Sequence, residues 1–323
     1  MTSSSDKVPF SVKGKTAIIT GGGSGICLCF AKLLLSKGCN VVIADLALRP
    51  EAQQVVDEYS ATDSGNPRAV FKKTDVVKFD DLSAMFDAAD EEFGGADLVC
   101  PGAGVFEPEW SNFWIPPGTG NSVDGAHGTK TEGIGHYTTL DINITHPIRT
   151  TQLALSRWLN PRPGSKAGKA SPSNPKRVVH ISSIAGQLAG LPTPLYHASK
   201  HAISGFIRSL GPLDVLGVRV NGVAPGVIKT PLWTDHPEKM KMVDLEADTW
   251  VTPEEVAERM LNCAEKDDVE GGMVMEVLKG TFRSVTALND PGPSGPGGAV
   301  SNGKVMAEEV FKWLGEPGWG VAK

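Results

Sequence analysis

Residues 15 to 38 read KTAIITGGGSGICLCFAKLLLSKG, and the reading of this stretch decides the fold. "KTAIITGG" is a short, apolar, β-branched run ending in glycines, which predicts a buried strand. "ICLCFAKLLLSKG" has helical length and closes on Gly38, a suitable C-cap. Between them Gly21, Gly22, Gly23 and Gly25 leave backbone N–H groups free to face an anion, and the helix N-terminus adds about half a positive charge. In a dinucleotide-binding turn one glycine permits the bend, a second lets pyrophosphate approach, and a third lets helix and strand pack closely. The third position is Cys27 here. A residue this small predicts a shifted helix and an open site, since overpacking costs on the order of 1–3 kcal/mol.

The alternation started by this unit continues along the chain. "NVVIAD", "AVFKKTD", "ADLVCPGAG", "KRVVHIS", "VRVNGVAP" and "GGMVMEV" predict strands; between them lie helical stretches at "RPEAQQVVDEYS", "DDLSAMFDAADEEFG", 138–160, 195–210 and "TPEEVAERMLNCAEK". Strands alternating with helices predict an α/β fold, a single Rossmann-type, doubly wound parallel sheet of about seven strands with helices on both faces. Three segments interrupt the rhythm. Residues 106–137 form a glycine-rich rim insertion carrying Trp110, Phe113 and Trp114; residues 161–177 read as a mobile basic loop; and a Gly/Pro-rich linker precedes a short terminal helix, "VMAEEVFKWLG". The expected division is one domain over 1–285 that includes the substrate site, and a tail over 286–323.

Composition excludes several classes. A net charge of −6 offers no electrostatic footprint for nucleic acid and would repel anionic membranes. Five scattered cysteines, Cys27, Cys29, Cys39, Cys100 and Cys263, form no paired framework, which fits a reducing compartment. No stretch approaches the ~20 apolar residues needed to span a bilayer, and the first residues hold no signal-peptide run. A cytoplasmic location is expected. His197 and His201 are four apart, but no acidic third ligand follows, and no metal site is expected.

Asp45 ends the second predicted strand, twenty residues after Gly25, where an acid binds the adenosine ribose hydroxyls. Its carboxylate would repel a 2′-phosphate, favouring NAD over NADP; Ser24 and Leu46 offer no compensating charge, and Arg49 is the one nearby cation. "YHASK" places Tyr196 and Lys200 on one face of a predicted helix. Ser183 lies thirteen residues upstream, where "KRVVHIS" ends, and ligands of open α/β sheets bind at the carboxyl ends of strands. A phenol with a pKa near 10 is a poor base at neutral pH. An adjacent ammonium and a cationic nicotinamide would favour the phenolate, letting Tyr196 exchange the alcohol proton while hydride leaves carbon.

Gly21-x-x-x-Gly25, Asp45, Asp75, Ser183, "YHASK" and "APGVIKT" together resemble the short-chain dehydrogenase/reductase family over roughly residues 12–280. The resemblance implies Asn143, Ser183, Tyr196 and Lys200 as the catalytic set, with Asn143 positioning a water in the proton relay, Ser183 holding the substrate oxygen, and Lys200 holding the nicotinamide ribose. It implies cofactor contacts at Gly21, Gly23, Ser24, Gly25, Ile26, Asp45 and Leu46, at Asp75 and Val76 beside the adenine, at Gly102, Ala103 and Gly104 near the ribose, and at Ile228 to Thr230 on the nicotinamide side. "PGAG" at 101–104 replaces the family's usual Asn-Asn-Ala-Gly, and Pro101 removes a strand donor.

Within the family, "YHASKHAISGFIRSL" and "GGMVMEVLKG" look most like NAD-dependent 15-hydroxyprostaglandin dehydrogenase-like, fungal-type members, which implies oxidation of a secondary alcohol on an apolar molecule. Trp110, Phe113 and Trp114 are expected to wall an apolar pocket with Ser183, or else to pack on the protein's own surface or a partner subunit. A homodimer or homotetramer is expected by analogy. Two other functions remain open at this level: a non-redox dehydratase, isomerase or cyclase on the same fold, and a non-catalytic NAD-binding scaffold.

Overall fold

The structure, a computed structural model, describes residues 8–61, 65–125, 135–235 and 249–286, together with 308, 310–312, 314–317 and 319. The predicted linker and residues 126–134 of the rim insertion lie outside this set. β1 (Thr16–Thr20) is buried at every position, as its unbroken apolar run requires. α1 (Gly25–Ser36) turns Cys27, Leu28, Phe30, Ala31, Leu34 and Leu35 inward, a stripe at helical spacing. β2 (Asn40–Asp45), α2 (Pro50–Glu58) and β3 (Ala69–Lys73) follow. α3 (Phe79–Phe93) stops at Gly94, whose left-handed φ of 82° suits a residue without Cβ.

After β4 (Leu98–Pro101) the chain passes through the rim insertion into α4 (Thr138–Leu140), a π-helical segment (Asp141–Thr145) and α5 (His146–Leu159). β5 (Lys176–Ile181), α6 (Pro194–Ser209), β6 (Val218–Pro225), α7 (Pro231–Thr234), α8 (Pro253–Glu265) and β7 (Val274–Leu278) complete the alternation. With a further strand β8 (Thr281–Ser284), the strand order is β3-β2-β1-β4-β5-β6-β7-β8, parallel as far as β7. One apolar cluster joins α1 and α8 to the sheet, and a second joins α3 and α5 to its other face. The chain runs outward from β1 to β3 and returns to place β4 against β1. That reversal opens a crevice at the carboxyl ends of the strands, where open α/β sheets bind ligands.

Two departures from the sequence-based expectation have local causes. The eighth strand, β8, pairs antiparallel with β7 after a two-residue connection in which Gly280 takes φ 68°. The basic segment 161–177 is pinned, not mobile: Lys166 and Ala167 donate their N–H groups to the Gly94 carbonyl at 2.8 and 3.2 Å. In the same segment Asn174 Nδ2 bonds the Ala167 and Lys169 carbonyls. The tail packs on the body, with Leu314, Phe311 and Trp319 joining the cluster of Trp158 and Leu159 and the Trp319 carbonyl accepting from Asn160 Nδ2 at 2.9 Å. Pro101 is tolerated because it is the last residue of β4, whose pairing with β5 ends at Val99.

Candidate active site

A cavity of about 580 Å³ opens at the carboxyl ends of the parallel strands, and the turn after β1 forms one of its walls. Gly21 has φ 69°, and a Cβ there would lie 2.8 Å from the Ala103 Cα. At Gly23 a Cβ would lie 2.8 Å from the Ala47 carbonyl oxygen. The Gly23 N–H donates to Asp45 Oδ2 at 2.9 Å. The Ser24 side chain makes no capping bond to α1, and Ser24, Gly25, Ile26 and Cys27 line the cavity at the positive end of the helix. This cradle, closed to a side chain at Gly21 and Gly23, fits the pyrophosphate of a nicotinamide dinucleotide.

The two departures from the family pattern meet here. A Cβ on Gly102 would collide with the Cys27 sulfur and lie 3.2 Å from Ile181 Cδ1. Cys27 is buried in the core beneath the turn, and its thiol touches that of Cys100. The volume added at position 27 is therefore accommodated by the absence of a side chain at 102.

On the far side, Asp45 Oδ1 accepts the Leu46 N–H at 2.7 Å, and Asp45, Leu46, Thr74, Asp75 and Val76 line the cavity. Arg49 forms an ion pair with Asp235, and both residues also line it. Gly102, Ala103, Gly104, Ile228 and Thr230 complete the predicted cofactor wall.

Ser183, Tyr196 and Lys200 share the other end of the same cavity. Ser183 follows β5 and accepts the Ala185 N–H at 3.2 Å, and its hydroxyl stands near the Tyr196 phenol, where it favours the phenolate. Lys200 Nζ donates to the Ile181 carbonyl at 3.0 Å and stands 5.5 Å from the Tyr196 ring centroid. Asn143 lies in the π segment. Its Oδ1 accepts the Val105 N–H and its Nδ2 donates to the Val105 carbonyl, each at 2.9 Å, with Ser199 Oγ at 3.2 Å. The Asn143 side chain thus clamps the chain leaving β4 against the helix that faces Lys200.

Burial dominates the electrostatics. It lowers the Lys200 pKa to about 8, with the Cys27 sulfur opposing. It pushes the Tyr196 phenol above its ordinary value, opposed by the Ser183 hydroxyl. The lowering expected from Lys200 is therefore not a property of these side chains alone, because desolvation disfavours the phenolate. Behind them, His146 and His180 are driven to about 4 and about 3 by burial, and remain neutral. His146 Nε2 meets Thr20 Oγ1 at 2.9 Å, and Thr20 Oγ1 accepts the Ala103 N–H at 3.2 Å, so a neutral histidine supports the cofactor wall.

Trp110, Phe113 and Trp114 do not line the cavity, whose apolar part is built by Val105, Phe106, Ala185, Leu188 and Leu232. Trp114 Nε1 donates to the Leu191 carbonyl at 2.9 Å, and its ring meets Phe113 edge-to-face at 4.9 Å, both exposed. The loop folds outward because its first residues are tied inward. Phe106 packs edge-on against Tyr196 at 4.6 Å, and buried Glu107 accepts the N–H groups of Phe113 at 3.1 Å and Tyr196 at 2.9 Å. Phe106, Glu107 and Ser182, which holds the Lys200 carbonyl at 3.1 Å, carried no sequence signal, because each acts on a partner far along the chain. His197 and His201 direct Nδ1 to the Thr193 and His197 carbonyls. No helix among the described residues is long and apolar enough to cross a membrane.

A glycine turn at a switch point, an acid closing β2, and a Ser-Tyr-Lys group at the ends of β5 and α6 define a Rossmann-type dinucleotide-binding oxidoreductase. The sequence pattern described as short chain dehydrogenase matches residues 15–241, and the chain belongs to that family. It is 31% identical over 238 residues to a hydroxynaphthalene reductase-like protein, Arp2, of Metarhizium guizhouense (strain ARSEF 977), covering 71% of this chain and 74% of the relative. It is 27% identical over 284 residues to 15-hydroxyprostaglandin dehydrogenase (NAD(+)) of Rattus norvegicus, covering 82% and 91%. The fold matches the crystal structure of a 3-ketoacyl-(acyl-carrier-protein) reductase from Brucella melitensis complexed with NADH, with a TM-score of 0.63 at 20% identity over 83% of this chain and 98% of that one. An oxidoreductase of the dehydrogenase/reductase kind, using a nicotinamide cofactor, follows from that membership.

Proposed function

We propose that the protein interconverts a secondary alcohol and a ketone on an apolar small molecule, with NAD as cofactor and Tyr196 as the acid/base. The observation that carries this reading is the joining of the Tyr196 phenol, the Ser183 hydroxyl and the Lys200 ammonium to the glycine cradle by one continuous cavity. When bound, the nicotinamide supplies the hydride acceptor and a positive charge near the phenol. In the oxidative direction Tyr196 Oη takes the proton from the alcohol oxygen, while the hydrogen on the adjoining carbon leaves with its electron pair; the ketone results. Ser183 Oγ holds the substrate oxygen, and Lys200 supplies the charge that favours the phenolate and holds the nicotinamide ribose. Asn143 keeps the β4 exit and the proton relay in register beside Lys200.

Asp45 faces the adenosine region with a carboxylate that disfavours a 2′-phosphate, and Arg49, the nearby cation, is neutralised by Asp235. Both features support NAD over NADP, as does the rat relative named for NAD(+). Val105, Phe106, Ala185, Leu188 and Leu232 support an apolar substrate. A homodimer or homotetramer and a cytoplasmic location belong to the same reading.

The test is NADH formation over a panel of tetralol, cyclohexanol and a medium-chain secondary alcohol, with NADP in parallel. Turnover with NAD, tighter binding of NADH than NADPH, and a smaller gap in Asp45→Ala are expected. Equal binding of the two cofactors would contradict the assignment of Asp45.

A further inference from the structure

Helix α6, which carries Tyr196 and Lys200, begins without a cap of its own. Thr193 at the N-cap position makes no side-chain bond to the first turn; its hydroxyl meets His197 Nδ1 at 3.2 Å instead. Pro194 has no N–H, and the His197 N–H already bonds the Thr193 carbonyl at 3.1 Å. The N–H groups left to satisfy are those of Leu195 and Tyr196. The Tyr196 N–H donates to Glu107 Oε2 at 2.9 Å, from a residue 89 positions earlier in the chain, and the Leu195 N–H faces the same carboxylate.

Glu107 is itself held in an unusual way. It is 2% exposed and is the one non-glycine residue with positive φ, 39°, among the described residues. It also precedes Pro108, a position that disfavours such a conformation. Asn112 Nδ2 donates to its carbonyl at 3.2 Å, and its second carboxylate oxygen accepts the Phe113 N–H. The same insertion caps the other helix beside the site. Asp124 Oδ1 accepts the Thr138 N–H at 2.8 Å, and Ser111 Oγ accepts the Thr139 N–H at 2.8 Å. A backbone so constrained, serving bonds so distant, indicates a demand at the site beyond helix stability.

We propose that Glu107 is a positioning residue for the proton-transfer step: its carboxylate fastens the first turn of α6 to the chain leaving β4 and so fixes where the Tyr196 phenol stands over the cofactor. The inference rests on Tyr196 being the acid/base. Phe106, its neighbour, packs against the phenol ring, so one short segment holds this tyrosine by both backbone and ring. Glu107 does not line the cavity; it acts through Tyr196.

Glu107→Gln keeps the shape but sets an amide N–H against a backbone N–H, breaking one of the ties. Its kcat for tetralol oxidation is expected to fall about tenfold to a hundredfold, as for a reacting group displaced by about an ångström, while NADH affinity, read by fluorescence, stays at the wild-type value. Adding Thr193→Asp supplies a local cap to the same N–H groups. This double variant is expected to regain the wild-type melting temperature but not kcat, and it provides folded protein should the single variant fail to fold. Wild-type kcat in Glu107→Gln, or recovery of kcat together with melting temperature in the double variant, would reduce Glu107 to a helix cap and overturn the proposal. Tyr196→Phe is measured alongside. Turnover surviving there, or absent from wild type across the alcohol panel, overturns the acid/base reading and this inference with it. Turnover lost in Tyr196→Phe but retained in Glu107→Gln overturns the role of Glu107 alone.

Discussion

Lys176 and Lys200 are both buried lysines, at opposite ends of the sheet. Lys176 opens β5 and is fully enclosed; its Nζ bonds Asp97 Oδ1 at 2.6 Å and the Ala167 carbonyl. Lys200, over the carboxyl ends, has the Ile181 carbonyl as its bonded partner and no carboxylate in an ion pair among the described residues. Burial lowers the pKa of both, but a carboxylate, Asp97, opposes the effect at Lys176, whereas only the Cys27 sulfur does so at Lys200. A buried cation with its counter-ion is structure; one without it is held in reserve for a ligand or a reaction.

Substitution should separate the two. Lys200→Met is expected to reduce turnover by about a hundredfold or more. Because burial already disfavours the charged form of Lys200 at neutral pH, the melting temperature should hold or rise. Lys176→Met leaves Asp97 buried with Lys15 at 3.4 Å as its remaining charged partner, and should lower stability by on the order of 3 kcal/mol without changing kcat of the folded enzyme. Denaturant unfolding and steady-state kinetics on both variants check the pair; matching losses in either assay would erase the distinction.

The histidines extend the contrast to pH. His146 and His180 are neutral when folded, with pKa values held below the unfolded value of 6.5. Below about pH 6.5 the unfolded chain binds protons that the native protein does not, so stability is full above that pH and is lost as pH falls toward 4. At pH 5 each histidine should account for about 2 kcal/mol, and His146→Gln should flatten part of the decline in thermal melts.

A smaller effect concerns the turn. Gly102→Ala places a methyl group against the Cys27 sulfur and should destabilise by about 1–3 kcal/mol. Cys27→Gly in the same chain should recover most of that loss. Chemical denaturation of the four proteins in the cycle decides, and additive effects would show that the two positions are independent.

Much of this was legible in the residues. Strand-helix alternation and the glycine turn gave the parallel sheet, because apolar periodicity and φ-permissive residues are local signals. β8 was missed because four exposed residues, Thr281–Ser284, carry no buried-strand pattern. The loop at 161–177 looked mobile from its Gly, Pro and Lys content, but its anchoring depends on the Gly94 carbonyl and on Asp97. At the site, Ser183, Tyr196 and Lys200 could be named from motifs and Asn143 from the family resemblance alone, and the structure brings the four together near the ends of β4 and β5. Glu107 and the Cys27–Gly102 contact could not, since each is defined by a partner distant in the chain.

The most direct test of the account is NADH formation by Tyr196→Phe, measured beside NADH binding by the same protein. The account predicts turnover reduced to background with cofactor affinity close to wild type, because the phenol's hydroxyl is required for proton transfer and not for the cradle. Turnover near the wild-type rate with intact binding would contradict it.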